Sequence, residues 1–358
     1  MGRYDRRDHL ATLDPESEFE EIYRQVASLE FPWDMNQSLG FALFRTYAVP
    51  TIGELLGRTG EFTERVQKRY DDTGLLLDAV LEHGMGSTEG RAAVRRMNQM
   101  HGSYSISNDD MRYVLATFVV VPARWLDDYG WRPLTPGELR ASVRYYHELG
   151  RLMGMQGVPQ TWEQFVDLLE SYEVRTFGWT AGGRAVADAT LDLMTTFPPN
   201  QLLPKGLVRT FSYALMDDRL LQALRYPRPA APVRLLGRAA MRLRARVVRR
   251  MRPRTAPKRA RQLPQIRSYP GGYVVEELGT FPGRGCPVPH QDRGPAQAPT
   301  ASAAREAGLD QDARRGSETQ AGGPSVESDG LRSRVSGSTE RIVSTVGDVG
   351  ATIESCPP

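Results

Sequence analysis

The chain of 358 residues is 40% hydrophobic and 25% charged, which is enough for one large or two small domains with a buried core. Its net charge is +3, but 12 basic residues and no acidic residue lie between positions 234 and 261, leaving 34 basic against 43 acidic residues elsewhere. The two cysteines, Cys286 and Cys356, exclude a disulfide scaffold and a CxxC zinc site.

Composition also predicts the domain organisation. The end of the chain has no aromatic residue after Phe281 and is rich in Gly, Pro, Ser and Ala, so it cannot bury enough apolar surface to offset chain entropy. We predict one helical domain over residues 1–282 and a disordered tail over residues 283–358. The polar first residues and the lack of a long apolar run predict neither a secretory signal nor a membrane span, so we expect a cytoplasmic protein.

Helix start signals recur along the chain. Residues 87–89 (Ser-Thr-Glu) and 108–110 (Asn-Asp-Asp) each open a helix, and the second of these helices is expected to end at Pro122. Residues 135–138 and 161–164 match the capping-box pattern. Because alternating strand patterns are nearly absent, the sequence predicts an all-α fold, a multi-helix bundle.

Several catalytic motifs are missing from the sequence. It contains no HExxH, no Glu-x-x-His pair, no aspartate-rich DDxxD, no glycine-rich phosphate loop and no G-x-S-x-G elbow. An all-α protein without these motifs usually needs a cofactor for chemistry, or does no chemistry. Two helices carry residues that would suit a cofactor.

The first of these helices is predicted over about residues 62–81 from an apolar stripe at helical spacing. Arg65, Arg69 and Thr73 are spaced four residues apart and share one line down this helix. Lys68 lies beside them and has an acidic partner one turn later. The residues alone leave two interpretations open: a solvated charged face, or cations that face a cofactor.

The second helix is predicted from Thr88 to about Gly102, with Met97 and His101 on one apolar face. A neutral imidazole on such a face is what the proximal ligand of a haem iron requires, and Arg95 and Arg96 suit carboxylates such as haem propionates. The alternative is a core histidine bonded to a carbonyl group, with the methionines as packing. His147, in the middle of a later helix, is the chief rival ligand.

Several short motifs, taken together, resemble one known family. They are Arg95–His101, Tyr104–Met111, Tyr113–Phe118, Pro122–Trp125 and Gly130–Arg132, with flanking pieces at Lys68–Thr73, Gly150–Met155, Val158–Pro159, Ser171–Glu173 and Ser268–Gly279. The combined pattern is similar to that of the MpaB-type oxygenases, relatives of the rubber-cleaving latex-clearing oxygenases. The resemblance extends over about residues 30–282.

This resemblance implies an all-helical protein with a globin-like core that binds haem b. The family's proximal histidine follows an Arg-Arg pair on its helix, which places the iron ligand at His101 and puts Met97 and Arg95 beside the cofactor. In the latex-clearing branch, an Arg-x-x-Lys-Thr cluster on the preceding helix lines the distal side. The resemblance thus agrees with the haem interpretation of the second helix.

The distal cluster matches only in part. Arg65 and Lys68 keep the family spacing, but Arg69 stands where threonine would follow, and Thr73 comes one turn later. The resemblance assigns catalytic roles to these four residues and leaves open which cation faces the iron. That cation would stabilise negative charge developing on oxygen.

The implied reaction uses O2 to cleave a carbon–carbon double bond in a hydrophobic small molecule with a prenyl- or terpenoid-like chain. Without a predicted secretion signal, an extracellular polymer is not the expected substrate. Two other functions stay open: a haem-binding sensor or carrier without turnover, and a cofactor-free helical protein at a membrane surface. Five further motif residues are interpreted as structural: Arg112, Arg124, Trp125, Trp131 and Arg132.

Residues 232–262 form a basic amphipathic segment. An apolar stripe is predicted at Leu236, Ala240, Leu243, Val247 and Met251, with arginines on the opposite side. An arginine- and leucine-rich helix of this kind is typical of peripheral membrane contact. The alternative is a packed helix whose arginines pair with the acidic body, and no nucleic-acid partner is expected because no recognition fold accompanies the segment.

Overall fold

The computed structural model describes residues 2–280, so the tail predicted over residues 283–358 lies outside the described residues. Within that range the chain is all-α and contains no β-strand. Its helices are α1 (Asp5–Leu10), α2 (Phe19–Gln25), α3 (Pro32–Tyr47), α4 (Pro50–Thr59), α5 (Val66–His83), α6 (Thr88–Gly102), α7 (Asn108–Tyr129), α8 (Pro136–Leu152), α9 (Trp162–Thr176), α10 (Ala181–Thr195), α11 (Lys205–Leu215), α12 (Asp218–Ala223) and α13 (Ala231–Arg250). The predicted fold class is confirmed.

Helix α7 lies at the centre of the bundle. It packs against α3, α8, α9 and α13, and its Tyr113 and Leu126 are fully buried. Phe44 and Tyr47 of α3 and Phe165 of α9 complete this part of the core. Apolar side chains at helical spacing are what allow each helix to bury one face here. None of the helices described is both long and apolar enough to cross a bilayer.

Side-chain caps begin the predicted helices. Ser87, Ser107, Thr135 and Thr161 each accept a hydrogen bond from a backbone N–H in the first turn of α6, α7, α8 and α9. The complete capping box predicted at Thr135 is present, with Glu138 returning the bond. In a complete capping box at Thr161, the Gln164 side chain would accept from the Thr161 N–H. It accepts instead from the Gln160 N–H, at 2.8 Å.

The prediction that the helix beginning at residue 108 ends at Pro122 is wrong. Helix α7 continues to Tyr129 with Pro122 inside it. A proline in a helix interior removes one backbone hydrogen bond and crowds the preceding turn. Val120 and Ala123, on either side of the proline, are buried at 0% and 5% exposure. The packing of α7 against its neighbours therefore carries the helix through a residue that usually ends one.

The motif residues interpreted as structural have structural contacts. Arg132 is buried and forms ion pairs with Glu138 at 2.6 Å and Glu30 at 3.0 Å. The Trp131 indole N–H donates to the Glu30 carbonyl at 3.2 Å, and Trp125 is 6% exposed. The other two form surface ion pairs, Arg112 with Asp109 and Arg124 with Glu170.

Helices α4 and α10 approach each other through glycines. A Cβ on Gly57 would lie 2.7 Å from Gly182 Cα, so replacing Gly57 by alanine must push the two backbones apart. We expect Gly57→Ala to lower the free energy of unfolding by about 1–3 kcal/mol, measured by urea denaturation. Gly137→Ala is the control, since nothing lies within 4 Å of its Cβ position. Equal stability of the two variants would contradict this account of the contact.

Residues 258–280, called the C-terminal segment below, are fastened to α5 by buried carboxylates. Asp71 Oδ2 accepts from the backbone N–H groups of Arg267 at 2.9 Å and Ser268 at 2.8 Å. Asp72 accepts from the Tyr269 hydroxyl. Asp71 and Asp72 are 0% and 1% exposed. The Asp71-Asp72 pair, which belongs to no diphosphate motif, therefore anchors the end of the described chain.

Replacing Asp71 by alanine is expected to release this segment, because the backbone N–H groups of Arg267 and Ser268 lose the carboxylate that accepts from both. The expected loss of stability is about 2–3 kcal/mol, in line with buried donors left unpaired. Hydrogen exchange should show lower protection across residues 258–280. Asp128→Ala, which alters an exposed aspartate of another pair, should change neither measurement. Unchanged protection in Asp71→Ala would contradict the anchoring role.

Candidate active site

The candidate site lies on a hairpin formed by α5 and α6, which pack against each other. The turn between them begins at Gly84, which has a φ of +82°, and the Ser87 hydroxyl donates to the Gly84 carbonyl at 2.9 Å. Gly90 completes the turn, since a Cβ there would lie 1.9 Å from the Gly84 oxygen. Because the two helices run in opposite directions from this turn, Arg69 near the start of α5 and His101 near the end of α6 lie at the same end of the hairpin.

His101 has an unusual environment. Its Nδ1 is buried and has no hydrogen-bond partner among residues 2–280. Desolvation, followed by the positive charge of Arg69, lowers the pKa of His101 to about 4. The ring is therefore neutral at physiological pH, the form in which imidazole binds metals. A buried polar atom without a partner costs about 1–3 kcal/mol, so this nitrogen calls for a structural or functional explanation.

The rival histidine has a conventional partner. His147 Nδ1 lies 3.0 Å from the Pro159 carbonyl oxygen. A bond of this kind is the usual way to satisfy a histidine in a helical bundle. The two histidines therefore differ in the surroundings of Nδ1, although the bond to Pro159 occupies only one ring nitrogen of His147.

Arg69 is the cation that the structure brings towards His101. Its guanidinium donates to the Thr73 hydroxyl and lies 5.0 Å from the Phe62 ring centroid. Among the residues described, no carboxylate forms an ion pair with it. Desolvation is the first cause that lowers the pKa of Arg69, although an arginine so placed keeps its charge. The result is a partly buried positive charge near a neutral imidazole, with Asp72 and Glu61 acting on it electrostatically but without a direct ion pair.

The other two predicted cations have different partners. Helix α5 begins at Val66, four residues later than predicted, so Arg65 is its N-cap and lies outside the line of side chains expected on it. The Arg65 side chain is 61% exposed and pairs with Glu61. Lys68 Nζ lies 2.7 Å from Asp72 and donates to the Gly279 carbonyl at 3.2 Å. Both charges are neutralised locally.

The two residues of α6 predicted beside the cofactor differ in their exposure to solvent. Met97 is 6% exposed and lies on the buried face, whereas Arg95 is exposed. Arg96 is buried and donates to the carbonyl oxygens of Leu278 at 2.7 Å and Thr280 at 2.6 Å. One arginine of the pair thus holds the C-terminal segment, and the other faces solvent.

Sequence reasoning missed two tyrosines around the site. The phenol groups of Tyr47 and Tyr104 both interact electrostatically with Arg69. Tyr47 comes from α3, and burial raises its pKa to about 12, so it stays neutral. No local signal connects Tyr47 to α5, because only the packing of the bundle brings the two together.

Comparisons of the sequence with known proteins find a matching family. Residues 35–250, which include α5 and α6, match the family described as "ER-bound oxygenase mpaB/B'/Rubber oxygenase, catalytic domain". The chain is 33% identical over 242 residues to ER-bound oxygenase mpaB' of Penicillium brevicompactum, covering 63% of this chain and 56% of that protein. It is 33% identical over 238 residues to ER-bound oxygenase mpaB of Penicillium roqueforti, covering 62% and 79%. The match thus spans little more than half the length of the first of these relatives.

Proposed function

The chain belongs to the mpaB and rubber oxygenase family, and from that membership we propose that it is a haem b-dependent oxygenase, an oxidoreductase. We propose a hydrophobic small molecule as its substrate. The reaction proposed is cleavage by O2 of a carbon–carbon double bond in a prenyl- or terpenoid-like chain. The haem-binding core would be globin-like, and α5 and α6 would provide its two sides.

The observation that carries this proposal is the buried, unpartnered Nδ1 of His101. A haem iron can be held by a single axial side chain from the protein, and a neutral imidazole is a common one. No group of three or more His, Cys, Asp or Glu side chains within residues 2–280 is placed to hold a metal ion. A lone histidine therefore suits a prosthetic group that brings its own ligands better than it suits a bare metal ion.

When bound, haem b would supply the iron at which oxygen is activated. His101 would hold the iron through its neutral ring. Arg69 would stabilise negative charge developing on oxygen, because a fixed cation outside bulk water is already oriented for that task. Thr73 would hold the guanidinium in place through the hydrogen bond that it accepts.

The surroundings of the site suit an alkene. Val94 and Met97 are each 6% exposed on the same helix face as His101, and Phe62, also 6% exposed, packs under Arg69. Side chains of this kind exclude water and bind apolar substrate by burial. The presence among them of Arg69, a cation without a direct ion pair, favours oxygen chemistry over simple haem carriage.

The proposed function is tested by two measurements on the full chain. The purified protein, reconstituted with hemin, should show a Soret absorption band. It should then consume oxygen when supplied with a panel of prenylated compounds, and mass spectrometry should identify carbonyl products. A colourless protein would overturn the haem assignment. A coloured protein that consumes no oxygen with any of the compounds would instead support the sensor or carrier alternative.

A further inference from the structure

The outer face of α13 exposes apolar side chains next to those of α11. On α13, Leu236 is 72% exposed, Leu243 59% and Val247 54%, and on α11, Leu207 is 54% exposed and Phe211 36%. Burying one such side chain is worth about 1.5–3 kcal/mol, so a cluster left in water is a sign of an interaction surface. We call this cluster the α11–α13 surface.

The two helices present one continuous face because they pack closely. Gly237, Met241 and Ala245 are the buried residues of α13, four residues apart. A Cβ on Gly237 would lie 3.6 Å from the ring of Phe211. The exposed side chains of α11 therefore lie beside those of α13. The apolar stripe predicted in this segment is thus the outward face, and a different stripe packs against the bundle.

The arginines of α13 also fall into two groups, one that pairs with carboxylates of the bundle and one that is exposed without such a partner. Arg234 pairs with Asp218 at 2.7 Å and Arg244 with Asp34 at 2.8 Å, as expected for a helix packed on an acidic body. Arg242, Arg246 and Arg249 are exposed, and no carboxylate among residues 2–280 forms an ion pair with them. By helical spacing Arg246 flanks the apolar stripe, and Arg242 and Arg249 lie further round α13, towards the side opposite the stripe. All three guanidinium groups are available to an external anion.

We propose that the α11–α13 surface docks on a phospholipid bilayer that contains anionic lipid. The leucines would enter the boundary between headgroups and acyl chains, and the unpaired arginines would bind headgroup phosphates. A nucleic acid would use the arginines but not the exposed leucines. A second copy of the chain would bring the same unpaired arginines, so pairing two such surfaces places like charges together. This inference does not depend on haem binding.

Co-sedimentation of the full chain with phosphatidylcholine vesicles, with and without phosphatidylserine, tests the proposal. Binding should require phosphatidylserine and weaken with added salt. Arg242→Glu/Arg249→Glu should weaken binding about tenfold or more, since each arginine near an anionic surface contributes substantially. The matched control, Arg58→Glu/Arg91→Glu, changes two exposed arginines on α4 and α6 and should bind as the original protein does.

A second pair of variants tests the apolar part. Leu236→Ser/Leu243→Ser should lose vesicle binding, whereas Val174→Ser, which alters a 66% exposed valine on α9, should not. Circular dichroism and thermal unfolding should show that all the variants are folded. The proposal is overturned if the original protein stays in the supernatant at low salt, or if the surface variants bind equally well. A dimer that dissociates in Leu236→Ser/Leu243→Ser, without vesicle binding, would assign the surface to self-association instead.

Discussion

Replacing His101 by alanine is expected to lower the affinity for hemin by about 100-fold or more, since even losing a residue that only supports a metal ligand costs 10–100-fold. The residue is the one histidine described with a buried ring nitrogen that lacks a hydrogen bond. Removing the imidazole removes the proposed axial ligand. Titration of the apoprotein with hemin, followed at the Soret band, measures the affinity.

His147→Ala is the matched control for this experiment. It removes the same side chain from α8, where Nδ1 is already engaged by the Pro159 carbonyl at 3.0 Å. It should leave the hemin affinity unchanged and reduce stability by about 1 kcal/mol through the lost hydrogen bond. If His101→Ala bound hemin as well as the original protein and His147→Ala did not, the ligand assignment would be reversed.

Replacing Arg69 by methionine is expected to lower kcat by about 100- to 1000-fold while leaving hemin affinity nearly unchanged. Methionine keeps much of the volume of the side chain and removes its charge and its hydrogen bond to Thr73. The loss should fall on the turnover rate because the charge acts on oxygen rather than on haem binding. Oxygen consumption at saturating substrate measures it.

Arg65→Met is the control, since it removes the same charge four residues earlier on the chain. Arg65 is 61% exposed and paired with Glu61, so its loss should change kcat only a few-fold. A spectroscopic readout separates a role in charge stabilisation from a structural one. A nearby positive charge lowers the C–O stretching frequency of the carbon monoxide complex, so Arg69→Met should raise that frequency and Arg65→Met should not. An unshifted frequency in Arg69→Met would contradict the assignment.

Much of the site could be predicted from local patterns. The start of α6 at Thr88, its buried face with Met97, and His101 at its end follow from a serine cap and from helical spacing. Both site helices were predicted from the sequence, with α5 beginning four residues later than expected. The resemblance then indicated haem chemistry, which no spacing of residues showed by itself.

Which cation matters was not predictable from the sequence. Arg65, Lys68 and Arg69 lie within five positions, and spacing makes them equivalent candidates. In the structure, Arg65 and Lys68 form direct ion pairs with Glu61 and Asp72, whereas Arg69 forms no direct ion pair within residues 2–280. The Lys68–Asp72 pair follows from its i, i+4 spacing, but the exposure of Arg65 and the burial of Arg69 depend on the exact start of α5 and on packing, which a linear pattern does not contain.

The sequence by itself determined the helical class, most helix starts and the identity of the family, because caps and apolar periodicity act between residues close along the chain. The tertiary structure decided the rest. It continued α7 past Pro122 and placed the Asp71-Asp72 pair where it anchors the C-terminal segment. It gave Nδ1 of His147 a hydrogen-bond partner and left Nδ1 of His101 without one. It also exposed the apolar stripe of α13 to solvent. Each of these outcomes depends on burial and on partners distant in sequence, and only the packed bundle supplies them.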